Sequence, residues 1–229
     1  MSWPFLWVGV LKMEQLSVRE KNILPAVILI IIGVIGAVTS SEFNWLSTVV
    51  FGSISLILAF GYNGLKSMLR PMTKPFVVKL LVLLLLSFCI KGMLIAMITI
   101  FNITDINSFV TNPAVSEAKQ STLSNNLLDV SETSISILGE ELLVAGITLP
   151  VYCYLKKYRF GWALSNLIGC IAFGFMHVFA YDFQIWPCLM VGLSRYPFSQ
   201  AWKSTDSVRG GMYIHLISDL IVLLPATLI

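Results

Sequence analysis

Charge is scarce in this chain. Only 12% of its 229 residues are Asp, Glu, Lys or Arg, about half the roughly 25% of an ordinary soluble domain, which excludes a water-soluble globular protein. Histidine is scarcer still, with two in the whole chain. Four cysteines, Cys89, Cys153, Cys170 and Cys188, lie inside apolar stretches without a Cys-x-x-Cys spacing. That excludes a zinc knuckle or a disulfide framework and leaves them as small buried hydrophobes. No basic stripe with interleaved aromatics occurs, so nucleic acid is set aside as a partner. The N-terminal stretch has no basic region ahead of its apolar run and no small-residue cleavage site, and a removable signal peptide is not expected. Residues 3 to 11 are expected at a membrane interface, held by Trp3 and Trp7.

Apolar surface is what the chain has in quantity. Hydrophobic residues make up 57% and the mean hydropathy is +0.84. A helix needs about 20 apolar residues to cross a bilayer, and seven segments are read as approaching that: 24 to 41, 45 to 61, 76 to 101, 133 to 155, 162 to 180, 183 to 197 and 207 to 229. The expected architecture is an all-α polytopic transmembrane helix bundle of about seven spans, one integral membrane domain over residues 1 to 229. The sixth segment, broken by Pro187 and Pro197, is read as a short tilted or re-entrant piece. Residues 102 to 132 are read as an exposed loop, and Gly33, Gly36, Gly52, Gly61 and Gly64 as sites of close helix contact. Trp45, Trp162 and Trp186 are expected to anchor at interfaces.

Lys and Arg collect in four regions that alternate as one side of the membrane: Lys12 to Lys21, Lys66 to Lys74, Lys156 to Arg159, and Lys203 to Arg209. The opposite side receives Glu42, the acidic 102 to 132 stretch and Asp182. The positive-inside rule then predicts an integral cell-membrane protein with a cytoplasmic N-terminus and an external C-terminus.

An ionisable residue inside a span costs about 2.5 to 3.5 kcal/mol on insertion scales and by default marks function. Here such residues concentrate in three segments. Glu140 and Glu141 lie in the fourth, His177 in the fifth four residues after Phe173, and His215 in the seventh four residues before Asp219. Residues four apart share a helix face, and segments four and five are antiparallel neighbours, so Glu140 and His177 are expected to meet. At 1.5 Å per residue they lie roughly 5 to 10 Å below the outer surface, while His215 lies roughly 12 Å in from the inner one, a depth mismatch.

Two chemistries fit these residues. In the first, zinc is held by His177, His215 and one carboxylate such as Glu140, with the other carboxylate as general base. In the second, without metal, Glu140 oriented by His177 takes a proton from water while His215 and Asp219 stabilise the oxyanion. Asp219 could help an oxyanion only if protonated or if it merely orients His215. The residues alone leave both open.

The order Glu-Glu, then Phe with His four residues later, then His with Asp four residues later, in consecutive spans, resembles the CPBP family of intramembrane proteases, also called Abi. That family includes the CAAX prenyl endopeptidases and bacteriocin-related proteins. The resemblance covers roughly residues 133 to 229, and Gly192-Leu193, Trp202 and Thr205 resemble the link between its last two motifs. It implies a helical intramembrane hydrolase in which Glu140 and His177 activate water and His215 and Asp219 stabilise the oxyanion, with Glu141 beside them. The implied substrate is a membrane-associated peptide or protein. The family is classed as metallopeptidase while its metal dependence is disputed, so zinc stays conditional. One departure stands out: the first motif is EExxxR, and the Arg position here is Ala145. Lys91, expected at about the depth of Glu141, is the candidate replacement counter-ion. The resemblance also implies a rival role, a non-catalytic bacteriocin self-immunity protein or membrane regulatory partner. A small transporter ranks lower because no internal repeat is detectable.

Overall fold

A chain that crosses a bilayer must satisfy its backbone internally there, and helices do so within one segment. In the computed structural model, which describes residues 15–39, 44–105, 109 and 123–228, the protein is helical and contains no strand among the described residues. The helices are α1 (Ile23–Val38), α2 (Asn44–Met68), α3 (Val77–Ile100), α4 (Leu123–Leu155), α5 (Gly161–Met176), α6 (Ile185–Ser194), α7 (Tyr196–Thr205) and α8 (Arg209–Leu228). Four of the helical stretches, Glu20–Val38, Asn44–Met68, Val77–Ile100 and Leu128–Leu155, are long and apolar enough to cross a membrane, and Gly161–Met176 is a shorter apolar helix. The chain is an all-α membrane helix bundle.

Helix α4 is its hub. It packs against α1, α2, α5 and α8, and every residue from Glu141 to Gly146 is buried. Its core neighbours include Leu56, Ala59 and Phe60 of α2, Phe173 of α5 and Trp202 of α7. Helix α3 is attached elsewhere, on α6, α7 and α8. In its Leu-rich run, Leu80 and Leu84 pack on Phe198, Ala201 and Ile214, while Leu81, Val82, Leu85 and Leu86 are exposed and form the lipid-facing side.

The α2–α4 crossing is close because glycine permits it. A Cβ on Gly139 would fall 2.6 Å from the Thr48 carbonyl carbon, and one on Gly52 would fall 2.9 Å from Leu142 Cβ. Thr48 Oγ1 donates across the same crossing to the Ser136 carbonyl at 3.1 Å. Since Glu140 follows Gly139, this contact fixes the height of Glu140. Gly33 and Gly36 of α1 make comparable approaches to Phe51 and Ser47 of α2. Gly61 and Gly64 do not serve the expected interhelical contact. Gly61 breaks the helix with φ 78°, with the Arg19 guanidinium where a Cβ would lie, and a Cβ on Gly64 would meet Phe60 of its own helix.

Several segment expectations change. Helix α4 starts at Leu123 rather than 133 and runs for 33 residues, so residues 123 to 132 are helix and not loop. Residues 106–108 and 110–122 of that stretch, like Trp3, Trp7 and Glu42, lie outside the described residues. Helix α5 stops at Met176, and the chain turns through residues 177 to 184. The sixth segment is two short helices meeting at Arg195, with α7 carrying Pro197 in its first turn, where a missing N–H costs nothing. The exposed carbonyls of that break are met by side chains, as intramembrane irregularity requires. Ser87 donates to Ser194 O at 2.6 Å and Asn166 to Tyr196 O at 2.9 Å. Trp162 is buried rather than interfacial and donates to Gln200 Oε1. Cys170 and Cys188 are buried as expected, whereas Cys153 is half-buried and Cys89 exposed.

At one end of the bundle the α2–α3 and α7–α8 connections lock together. Arg70 pairs with the Asp206 carboxylate and donates from Nε to the Asp206 carbonyl at 2.9 Å. Ser207 donates to Arg70 O at 2.6 Å, and the Thr73 amide to Thr205 O.

Candidate active site

The two adjacent carboxylates of α4 meet different surroundings because neighbours on a helix point about 100° apart. Glu141 faces the protein interior and is fully buried. Glu140 faces a cavity of about 470 Å³. Counted from Leu123, Glu140 lies about 25 Å along the axis of α4. The mismatch expected between Glu140 and His215 is absent, for His215 Nε2 comes within 3.8 Å of Glu140 Oε2.

Glu141 has three partners. Its Oε1 accepts from Arg195 Nη2 at 2.5 Å and its Oε2 from the Trp202 indole at 2.9 Å. His215 Nδ1 stands 3.1 Å from Oε1. A carboxylate paired with a guanidinium is ionised and only accepts, so that contact places a proton on His215 Nδ1. The ring is further fixed between Phe173 and Phe198, with centroids at 5.5 and 5.1 Å. Its Nε2 then faces Glu140 and, at 3.6 Å, Asp219 Oδ2 one turn along α8. Gly211 of α8 makes room for this cluster, since a Cβ there would collide with the Trp202 indole nitrogen.

His177 sits at the C-terminus of α5, where its Nδ1 lies 3.0 Å from the Phe173 carbonyl. A carbonyl only accepts, so in the neutral ring Nδ1 carries the proton and Nε2 is the acceptor. Phe173 stacks on it with centroids 4.5 Å apart, so the expected Phe173–His177 face is real. His177, Glu140 and Asp219 all line the cavity, together with Ser218, Tyr181, Trp45 and the rim residues Lys91, Asp129 and Glu132. All five residues singled out in the sequence therefore converge, three on the cavity and Glu141 and His215 immediately behind it.

Two expectations are corrected. Lys91 is not the counter-ion of Glu141. It lies on the cavity wall, while the buried partner is Arg195. Arg195 escaped notice because it falls at the edge of the weak sixth segment; an arginine between apolar residues was the available signal. The zinc set fares no better: among the described residues no group of three His, Cys, Asp or Glu side chains is disposed to hold a metal ion. His177, His215 and Glu140 as arranged form no such group.

Chemically the arrangement offers a carboxylate and an imidazole acceptor on a cavity lined by polar side chains, backed by a second imidazole whose orientation is fixed. Compared with known proteins, the chain matches no family model, no curated protein and no solved structure at a significant level.

Proposed function

We propose that the chain is a CPBP-type intramembrane endopeptidase that hydrolyses a peptide bond in a membrane-associated peptide or protein. One observation carries the reading: Glu140, His177 and Asp219, from three separate elements, share one cavity with His215 directly behind. Glu140 takes a proton from a water that also donates to His177 Nε2. The hydroxide adds to the scissile carbonyl carbon, and its π electrons move to oxygen. His215, as imidazolium, donates from Nε2 to that oxyanion. Glu140 then gives its proton to the leaving nitrogen as the oxyanion re-forms the carbonyl and the C–N bond breaks, leaving a carboxylic acid and an amine. Asp219 contributes by orienting His215, since an ionised carboxylate would repel the oxyanion.

The cavity is lined by the end of α1, the start of α2, the N-terminal half of α4, the turn after α5 and the C-terminal halves of α3 and α8. With the N-terminus in the cytoplasm, as the Lys and Arg distribution supports, it opens toward the external face. A second reading, a non-catalytic self-immunity or regulatory partner, is favoured by Ala145 at the motif Arg position.

The test compares membrane and secreted peptide termini in cells expressing wild type or Glu140→Ala at matched levels. A terminus present only with wild type is the expected result. No difference, with the variant still rescuing a deletion phenotype, would overturn the enzyme reading.

A further inference from the structure

Among the described residues Arg195 is the bulkiest fully buried charged side chain. It sits at the junction of α6 and α7, far in sequence from the carboxylate it meets. One guanidinium nitrogen donates to Glu141 and another to Ser199 Oγ at 3.2 Å. Its flat faces are covered by aromatic rings, with the guanidinium carbon 4.7 Å from the Phe173 centroid, 5.9 Å from Phe198 and 5.7 Å from Trp202. Phe173 and Phe198 also pack on the His215 ring. Arg195 does not line the cavity. Ala145, one helical turn beyond Glu141, is fully buried in the same core cluster as Phe173 and Trp202.

A buried carboxylate is held in place only by what it bonds to, and outer partners of this kind set the orientation of the groups they support. From this chain of contacts we infer that Arg195 is a positioning residue: by pinning Glu141 it fixes His215 with Nδ1–H inward and Nε2 toward the cavity, doing from α7's entrance what a cation at position 145 of α4 would do. The inference rests on the hydrolytic reading of the site for its kinetic consequence alone. The fixed ring is a property of the protein whether or not it cleaves anything.

The chain's two histidines make the test direct. Detergent-solubilised protein labelled with ring-15N histidine gives two imidazole signals, assigned with His177→Gln. In wild type the His215 Nδ1 proton is expected as a low-field resonance slow to exchange. In R195M it is lost, and in R195M/A145R, where the cation returns on α4, it reappears. The pair E141L/R195M buries no lone charge and keeps the test decisive if R195M does not fold; folded, it must also lack the resonance. Persistence of the resonance in R195M or in folded E141L/R195M overturns the inference. Its absence from a folded R195M/A145R overturns the equivalence of the two positions.

The kinetic arm uses a fluorogenic peptide selected for cleavage by wild type. R195M is expected to lower kcat by about 100-fold, the scale of losing one oriented oxyanion donor, with KM within about twofold because Arg195 touches no cavity surface. R195M/A145R recovers most of the rate. A rise in KM with kcat unchanged would refute the positioning role. If wild type cleaves no peptide, the protease reading falls, while the histidine spectrum still decides the role of Arg195.

Discussion

Replacing Gly139 by alanine sets two physical effects against each other. Helix propensity favours the change, since alanine is better than glycine in a helix interior by about 1 kcal/mol. Packing opposes it. The new Cβ would lie 2.6 Å from the Thr48 carbonyl carbon, and contact between such atoms is comfortable only near 3.5 to 4 Å. The obstacle is backbone, so α2 and α4 must separate by about 1 Å, which forfeits a quarter to a half of the dispersion at each contact they share. Overpacking of this kind costs about 1 to 3 kcal/mol, which leaves a net loss of up to about 2 kcal/mol after the propensity gain of about 1 kcal/mol. Gly92 of α3 is the internal control: a Cβ there meets nothing within 4 Å, so Gly92→Ala should be neutral or stabilising by up to about 1 kcal/mol. Reversible unfolding of the purified protein in mixed micelles, titrated with a denaturing detergent, measures both. Gly139→Ala at least as stable as wild type would refute the argument, as would an equal loss at Gly92.

Three further outcomes are expected. Glu141→Leu leaves Arg195 buried without an anion and should cost about 3 to 5 kcal/mol, whereas Glu141→Leu with Arg195→Met should recover most of it; additive losses in the same unfolding assay would deny the coupling. Asp206 has φ 57° and pairs with Arg70, so Asp206→Asn, which tolerates that backbone, should cost about 1 kcal/mol, and Asp206→Val a further 1 to 2 kcal/mol, read as a shift in thermal midpoint. With the native cysteines replaced, a single cysteine at Lys74 should resist a membrane-impermeant maleimide applied to intact cells while one at Ile103 reacts. The reverse pattern would invert the proposed orientation.

The sequence makes the helical membrane bundle legible because length and hydropathy alone govern it; the third segment, 76 to 101, coincides with Val77–Ile100 to within a residue at each end. Glu140, Glu141, His177, His215 and Asp219 are legible for the same reason, since ionisable groups among apolar ones stand out. Less visible are relations between segments. The start of α4 is polar, LSNNLLDVSET, so nothing in its composition separates it from loop, yet it belongs to the helix that carries Glu140. The partner of Glu141 depends on a helix break that prolines at 187 and 197 announce without saying which side chain the break would carry inward. Lys91 and Arg195 were equally available cations by composition, and only the packing of α7 on α8 distinguishes them.

The pairing of α6 with α7 also bears on how the protein is made. Helix α7, YPFSQAWKST, is too short to cross a bilayer and too polar to rest in lipid by itself. Its Thr205 and Ser204 carbonyls are satisfied by Thr73 of the α2–α3 connection and Lys79 in the first turn of α3, and the carbonyl of Ser194, at the close of α6, by Ser87 from the middle of α3. Released into lipid one at a time, these segments would leave those carbonyls without partners, a cost the bilayer core does not forgive. Helix α3 must already be in the membrane, waiting at the exit site, and the last third of the chain enters the lipid as a hairpin-like unit against it. Biogenesis then has a built-in order: the site assembles only after synthesis reaches α8, and a nascent chain truncated before that point has no lipid-stable place for Arg195.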